Sequence, residues 1–317
     1  MLAAMDAVRR RGIDIQPLDL WSRDSNYDVL HVWGLGPAHY ATVDWGKRAG
    51  KPIVMTALLP YLSGVRGWKR RLASRFGGGA LDRGIARSVE ELVVVNIETA
   101  RTALRLLGIE KSRLAIVPNI VDDRFFDPVP RSREEDFGIH AFFLCVGNVC
   151  PRKNQLAVAR AAASLGAPLL ILGDLLPGEE RYGEELARFT QGCADMRWIR
   201  GVPPGSDQLL SAYSQCKGVV LPSFDETQPL SALEAIAMRK PLLLADRPYA
   251  RQKVYEGACL VNPASNASIA AGLEQLGASP GICCPPLENL AECRRDRVGE
   301  AYVEIYERVV ARCQSVP

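Results

Sequence analysis

The 317-residue sequence predicts an α/β protein made of two parallel-sheet modules in tandem. Short apolar runs typical of buried strands alternate with segments of helical periodicity along both halves of the chain. Strands that alternate with helices form parallel sheets with helices on both faces. Residues 122–140 break this alternation with two prolines and a cluster of charges, which indicates a linker between the modules.

Each module contains its own series of strand-like runs. Those of the first module are residues 13–18, 27–33, 51–58, 91–96 and 113–119, with helices predicted at 1–12, 37–50, 80–90 and 99–109. Those of the second are residues 142–147, 168–173, 196–201, 218–223, 241–245 and 257–261, with helices from about 154, at 179–192, 206–216 and 231–238, and a last helix at about 286–313. We expect a ligand in a cleft between the two sheets, at the carboxyl ends of the strands.

These elements predict three parts of the chain. Residues 1–135 would form an N-terminal domain and residues 136–290 a C-terminal domain. Residues 291–317 would form a C-terminal helix that packs back towards the N-terminal domain.

The composition excludes several classes of protein. Apolar residues make up 48% and charged residues 24%, which is close to the average for a globular protein and excludes a disordered chain or a coiled coil. The 39 basic and 36 acidic residues leave a net charge of +3, too balanced for a general nucleic-acid binder. The nine cysteines form no Cys-x-x-Cys pair, and most lie in apolar runs where a thiol acts as a small hydrophobe. This cysteine usage predicts a cytoplasmic protein.

Residues 218–246 carry two glutamates where a strand gives way to a helix. Glu226 lies in the loop after a buried strand, and Glu234 lies in the first turn of the next helix, so both can face one edge of the sheet. The backbone N–H groups of residues 230–232 form a helix N-terminus, which is suited to an anion. Carboxylates beside an anion site suit a ligand with phosphate in its middle and hydroxyls at each end, as in a nucleotide sugar.

A purely structural interpretation of Glu234 is also open. Ser231-Ala-Leu-Glu234 matches a capping box, in which Glu234 would only accept a hydrogen bond from the backbone N–H of Ser231. Glu226 could likewise be an ordinary exposed glutamate in a loop.

Two cations, Arg152 and Lys153, stand immediately before a predicted helix. Cations at a helix N-terminus oppose the macrodipole at a cost of roughly 0.3–1 kcal/mol each. A local rule broken without compensation tends to mark a functional site, and a bound diphosphate would reverse the sign of this cost. The alternative is that both side chains point into solvent.

The pairing of VGNVCPRKN with PSFDETQPLSALEAIA, at this spacing and on these strands, resembles the retaining glycosyltransferases of family 4, the glycosyl transferases group 1. The resemblance runs through the whole second module and more loosely through the first. It implies the GT-B fold of two Rossmann-like domains. It also implies transfer of a sugar from a nucleoside diphosphate donor to a hydroxyl acceptor (a glycan, a lipid-linked sugar or a small molecule) with retention of anomeric configuration. It implies no cofactor and no metal, and the sequence has no Asp-x-Asp motif.

The resemblance also assigns roles to residues of the second module. Lys153, helped by Arg152, would neutralise the departing diphosphate, while Glu226 would hold the sugar ring. Glu234 would bind the ribose hydroxyls. The further donor-binding residues that it implies are Gly147, Asn148, Arg200, Gly201, Thr227, Gln228, Leu230 and Ser231.

The acceptor side would belong to the first module. Its candidates are His31, Gly34, Gly36 and His39, although a lone histidine beside apolar strand residues is more often structural. The Gly34-Leu-Gly36 loop lacks the third glycine of a dinucleotide fingerprint, so it does not support NAD binding.

The sequence departs from the family pattern in four places. The histidine that is common after the Thr-containing strand of the first module is absent near Thr56. Thr-Gln-Pro-Leu follows Glu226 where glycines are usual, and Pro229 removes one N–H that could meet phosphate. Asn148 stands where arginine is common. A first strand and glycine-rich loop would normally precede residues 1–12, so we expect the first sheet to lack its first strand.

Residues 65–76 hold five basic residues and no acid. This segment could contact anionic lipid headgroups and bring the protein to a lipid-linked acceptor, or it could be a solvated helix face. Two other functions also remain open: a non-catalytic subunit of this fold, which binds nucleotide sugars or serves as a partner, and a sugar-nucleotide epimerase on the same fold. The three histidines of the chain argue against the epimerase.

Overall fold

The computed structural model of the protein describes residues 1–19, 26–59, 61, 78–127 and 135–314. The chain divides into two compact units, the first comprising Met1–Ile120 with Glu292–Pro317 and the second comprising Val121–Ala291. The boundary thus falls earlier than the one predicted after residue 135. It does so because the segment after Val121 packs within the second unit, where the Phe125 ring meets Tyr213 edge to face at 5.5 Å between centroids.

The first unit contains a parallel four-stranded sheet. Its strands, in spatial order, are β1 (Leu30–Trp33), β2 (Ile53–Thr56), β3 (Glu91–Val94) and β4 (Leu114–Ile116). Among the described residues, its helices up to β4 are α1 (Leu2–Arg9), α2 (Pro37–Arg48), α3 (Gly78–Ser88) and α4 (Ile97–Thr102), and α4 continues as a π-helical turn over Ala103–Leu107. Residues 13–18, predicted as a strand, form none, and Pro17 has no N–H to give to a ladder. Ile13 and Ile15 instead pack against the apolar cluster on one face of the sheet.

The second unit contains a parallel six-stranded sheet with the order β10-β9-β8-β5-β6-β7. Its strands are β5 (Phe143–Val146), β6 (Leu169–Leu172), β7 (Met196–Ile199), β8 (Gly218–Leu221), β9 (Leu242–Ala245) and β10 (Cys259–Val261). Its helices are α5 (Gln155–Ser164), α6 (Glu180–Gln191), α7 (Asp207–Gln215), α8 (Leu230–Ala237) and α9 (Asn266–Ala278). All six predicted strands are present, whereas sequence reasoning missed α9.

The strand order of the second unit reverses between β5 and β8. The chain winds outward from β5 to β7, returns to the centre at β8 and winds outward the other way to β10. The connections after β5 and β8 therefore diverge to opposite sides and leave a crevice at the carboxyl ends of these strands. Ligands of open α/β sheets bind at such a switch point.

The C-terminal helix, α10 (Arg295–Gln314), belongs to the first unit. It begins later than predicted, because Leu287–Cys293 forms 3₁₀ turns instead of its first turns. Gly299 lets α10 approach α1 closely, since a Cβ at this position would lie 2.7 Å from the carbonyl oxygen of Ala7.

A buried ion-pair cluster joins α10 to the sheet. Glu91 on β3 is 2% exposed, and its two carboxylate oxygens contact Arg308 at 2.7 Å and Arg312 at 2.9 Å. Both arginine side chains remain partly exposed to solvent, whereas the Glu91 carboxylate is buried. The buried negative charge therefore depends on these two ion pairs for its stabilisation.

Two segments singled out in the sequence lie wholly or partly outside the described residues. The basic segment 65–76 lies outside the described residues, as do residues 128–134 of the predicted linker. Among the residues that are described, no helix is long and apolar enough to cross a membrane.

Candidate donor site of the second unit

An ion-pair cluster lies at the switch point between β5 and β8. Lys153 Nζ is 2.6 Å from Glu226 Oε1, and an Arg152 guanidinium nitrogen is 3.0 Å from the same oxygen. Arg152 also donates to the backbone carbonyl of Asp225 at 2.6 Å. The side chains of Lys153 and Glu226 are only 12% and 10% exposed. The structure thus brings together the three residues for which sequence analysis predicted catalytic roles.

Asn154, which sequence analysis did not single out, fixes this cluster. It ends the 3₁₀ turn Pro151–Lys153 in the left-handed region, with φ of 64°, a conformation that asparagine tolerates better than most residues. Its Nδ2 donates to the carbonyls of Pro222 at 3.3 Å and Pro263 at 2.8 Å. The loops after β5, β8 and β10 are therefore tied together, and an Asn directly before a helix was the available sequence signal.

Gly147 leaves room for the lysine. The residue follows β5 with φ of 139°, and a Cβ there would lie 3.3 Å from Lys153 Nζ. Behind it, a Cβ on Gly173 would lie 2.1 Å from the Gly147 carbonyl oxygen, so the loops after β5 and β6 touch through backbone alone. Asn148 is exposed, and its carbonyl accepts from Gln155 Nε2 at 2.9 Å.

Glu234 does not cap its helix. α8 begins at Leu230 with Pro229 as N-cap and no side-chain cap, so the capping-box interpretation is wrong. The Glu234 carboxylate instead accepts from the Tyr213 hydroxyl at 2.7 Å. Burial raises the pKa of Glu234 to about 7, the hydrogen bond from Tyr213 works against this, and the charge of Asp122 adds to it.

The start of α8 presents backbone donors. Pro229 accepts from the amides of Ala232 and Leu233 at 3.1 and 3.3 Å, and the preceding amides of Leu230 and Ser231 belong to the open first turn. Leu230 is 49% exposed. Gln252 supports the loop before this turn by donating to the Thr227 carbonyl at 3.0 Å, and Gln228 is buried.

Arg200 and Gly201 follow β7, further along the same edge. The Gly201 amide donates to Asp174 Oδ1 at 2.7 Å, and the Arg200 guanidinium carbon lies 4.1 Å from the centre of the Trp198 ring. Trp198 Nε1 donates to the Gly173 carbonyl at 2.8 Å. This bond connects the end of β7 to the loop after β6, which lies against Gly147. Asp174 was not among the predicted site residues.

The predicted acceptor residues lie in the first unit. His31 Nδ1 is 2.6 Å from the Tyr306 hydroxyl, and His31 Nε2 is 2.9 Å from Thr56 Oγ1. Burial lowers the pKa of His31 to about 3, so the ring is neutral. Both ring nitrogens are therefore engaged inside the unit, which is a structural role.

Gly34 and Gly36 follow β1, and both adopt positive φ. A Cβ on Gly34 would lie 2.3 Å from His39 Nε2, so the His39 ring rests directly on Gly34. A part for these residues in binding the acceptor stays a prediction.

Two protein-family models match the chain. Residues 141–279 match the model described as glycosyl transferases group 1, and residues 4–125 match the model described as glycosyltransferase family 4. Between them the two models cover most of both units.

Curated relatives agree with these models. The MMP α-(1→4)-mannosyltransferase of Mycolicibacterium hassiacum is 25% identical, over 92% of this chain and 73% of that protein. The D-inositol 3-phosphate glycosyltransferase of Mycolicibacterium smegmatis is 28% identical, over 69% of this chain. The chain covers 52% of that second relative's length.

Solved structures share the fold. Anabaena Alr3699/HepE in complex with UDP and glucose superposes with a TM-score of 0.71 at 16% identity, covering 89% of this chain and 78% of that one. The α,α-trehalose-phosphate synthase (UDP-forming) of Burkholderia vietnamiensis also gives 0.71 at 15% identity, covering 100% and 78%. The fold is therefore that of a GT-B glycosyltransferase. Because both family models match as well, the chain belongs to the group 1, family 4 glycosyltransferases. This confirms the resemblance seen in the sequence.

Proposed function

We propose that this glycosyltransferase takes its sugar from a nucleoside diphosphate sugar and transfers it to a hydroxyl acceptor with retention of configuration. The observation that carries the proposal is the convergence of Lys153, Arg152 and Glu226 at the switch point of the second sheet. The UDP and glucose held by the Anabaena protein, which shares this fold, support a donor of this class.

Each part of the donor has a candidate partner in the second unit. Lys153, Arg152 and the open amides of Leu230 and Ser231 would meet the diphosphate, because cations and helix N-termini both favour negative charge. Glu226 would hold the sugar and Glu234 the ribose. The corner formed by Arg200 and Gly201 would lie near the base.

The chemistry breaks the bond between the anomeric carbon and the β-phosphate oxygen, and the bonding electron pair leaves on that oxygen. Lys153 and Arg152 stabilise the charge that develops there, which is the kind of contribution that dominates transition-state stabilisation. The acceptor oxygen bonds to the anomeric carbon on the face that the phosphate leaves, and its proton passes to the departing phosphate oxygen. Two cations hold the Glu226 carboxylate, which makes it a poor nucleophile and favours this direct same-face transfer.

A metal is not required in this proposal, because Lys153 and Arg152 supply the positive charge that a divalent ion would otherwise bring. We expect millimolar EDTA to leave the transfer rate within about twofold of the untreated rate, and added Mg²⁺ or Mn²⁺ to change it equally little. A loss of activity in EDTA that Mg²⁺ restores would contradict metal independence and leave the donor proposal standing.

Release of nucleoside diphosphate from a donor, with and without added sugar acceptors, tests the catalytic proposal. The expected result is slow release without acceptor and faster release with a suitable one. NMR of a methyl glycoside formed in methanol-containing buffer reports the stereochemistry, and an α-linked donor should give the α product. Binding of a donor without any cleavage would favour the non-catalytic partner subunit.

The acceptor and the cellular location form a separate part of the proposal. We propose a sugar or lipid-linked acceptor in the cytoplasm and, from its composition alone, a peripheral membrane contact through the basic segment 65–76. Co-sedimentation with vesicles of neutral lipid, with and without 30% anionic lipid, tests that contact. Equal binding to both kinds of vesicle would contradict a contact with anionic lipid.

A further inference from the structure

Tyr213 on α7 contacts Glu234 at the predicted ribose position. Its side chain is fully buried, and its hydroxyl oxygen lies 2.7 Å from Glu234 Oε2 and 3.0 Å from the backbone carbonyl of Ser231. A tyrosine hydroxyl has one hydrogen to donate and can also accept. Two acceptors therefore surround one hydrogen when Glu234 is ionised.

The protonation state of Glu234 decides how this geometry is satisfied. If Glu234 is a carboxylic acid, it donates to the Tyr213 oxygen and Tyr213 donates to the Ser231 carbonyl, so the whole chain of bonds is made. If Glu234 is a carboxylate, Tyr213 turns its hydrogen to Glu234. The carboxylate also accepts charge-assisted hydrogen bonds from the hydroxyls of a ribose, and these bonds are stronger than those that a neutral carboxylic acid accepts.

We infer that Tyr213 is a positioning residue that holds Glu234 for the donor ribose and controls whether Glu234 is protonated, so that donor binding releases a proton. The inference rests on the proposed function, because it needs a nucleotide donor whose ribose meets Glu234. It adds a residue and a pH dependence to that site.

The surroundings of Glu234 favour the protonated form in the free protein. Besides Tyr213, the titratable groups that act on this pair are Asp122, on the segment before β5, Cys145 on β5 and Cys216 after α7. None of these groups is a cation, and no described basic side chain forms an ion pair with Glu234. The pKa of about 7 for Glu234 agrees with this environment.

The sign of the pH dependence follows from this arrangement. A donor that binds the carboxylate more tightly than the acid binds more weakly as pH falls through the pKa of Glu234, so the apparent Kd should rise by up to about tenfold from pH 8 to pH 6. Tyr213→Phe removes a hydrogen bond that stabilises the carboxylate, which raises the pKa of Glu234 further. The affinity transition of this variant should therefore move to higher pH.

Calorimetry in two buffers of different ionisation enthalpy counts the protons released on binding. The probes are UDP-glucose and GDP-mannose, titrated into the full chain from pH 6.0 to 8.5, a range in which their diphosphate diesters do not titrate. We expect the wild type to release a large part of one proton at pH 6.5 and much less at pH 8.5, because a group with a pKa of about 7 is mostly protonated at the lower pH. Glu234→Gln should release none and bind with a Kd that is flat with pH.

Tyr213→Phe should release more protons than the wild type at pH 7.5 and should bind several-fold more weakly at pH 7, with recovery towards pH 8.5. Tyr182→Phe is the matched control, because it removes another tyrosine hydroxyl bond from this unit, the one to the Leu156 amide. The control should keep wild-type proton release.

Equal proton release by the wild type and Glu234→Gln overturns the inference while leaving the donor site intact. An unshifted profile in Tyr213→Phe likewise removes the role of Tyr213. If Tyr213→Phe does not fold, the comparison of the wild type with Glu234→Gln still decides the proton linkage. Binding of neither probe at any pH, together with no binding of dTDP-, ADP- or CDP-sugars, would overturn the proposed donor class, and this inference with it.

Discussion

Replacing Lys153 with alanine is expected to lower turnover by about 10²- to 10³-fold, the range for removal of one preorganised charge-stabilising donor. The reason is the position of Nζ, which lies over Gly147 and 2.6 Å from Glu226 at the switch point of the sheet. Steady-state kinetics with a saturating donor measures this change. The cost in folding should be far smaller, because Arg152 continues to pair with Glu226.

Lys240→Ala provides the matched control for Lys153. Lys240 also bonds within the second unit, donating to the carbonyls of Ser214 at 2.6 Å and Cys216 at 3.2 Å. It lies outside the proposed site, so its removal should lower stability and leave turnover close to that of the wild type. If both variants lose melting temperature and activity in the same proportion, Lys153 is a structural lysine and the proposed mechanism is wrong.

The largest effect on stability is expected when Arg308 and Arg312 are both replaced with methionine. This change leaves the 2%-exposed carboxylate of Glu91 without its two partners. Removing the partners of a buried charge costs about 3–5 kcal/mol. Urea unfolding of the first unit measures the loss.

Two further variants show whether the buried charge is the cause. Glu91→Gln removes the charge together with the need to pair it, so it should cost clearly less than the double arginine variant. Arg297→Met on the same helix breaks an exposed pair with Glu300 and should change stability by less than about 1 kcal/mol. Equal losses in the double arginine variant and in Glu91→Gln would show that the cluster contributes through packing and not through charge.

The strands of both sheets could be predicted from the sequence because each is a short apolar run, the pattern of a strand buried on both faces. The helix α9 was missed although Ile269, Leu273 and Leu276 are spaced for one buried helix face. The alanine and glycine residues between these positions made the helical periodicity difficult to recognise in the sequence. Residues 13–18 were wrongly predicted as a strand. The side chains of Ile13 and Ile15 pack against the cluster that includes α1 and α10, and the backbone of this segment pairs with no strand.

The sequence predicted those parts of the candidate site that depend on the order of strands and loops, but not the contacts between side chains of different helices. The pairing of Lys153 with Glu226 follows from neighbouring strand ends in a parallel sheet, so the pattern of strands and loops is enough to expect their adjacency. The partner of Glu234 could not be predicted, because Tyr213 lies on a different helix and looks like an apolar-face residue in the sequence. The capping box was the best local explanation of Glu234, and a tertiary hydrogen bond replaced it.

The most direct test of the account is a donor-induced thermal shift on the wild type and Lys153→Ala, with UDP-, GDP-, dTDP-, ADP- and CDP-sugars. A donor at 100 times its Kd should stabilise the wild type by about 2.7 kcal/mol. We predict that one nucleotide class stabilises the wild type and that Lys153→Ala loses most of the shift at the same donor concentration. No shift with any donor, or an equal shift in both proteins, would contradict a diphosphate site at Lys153.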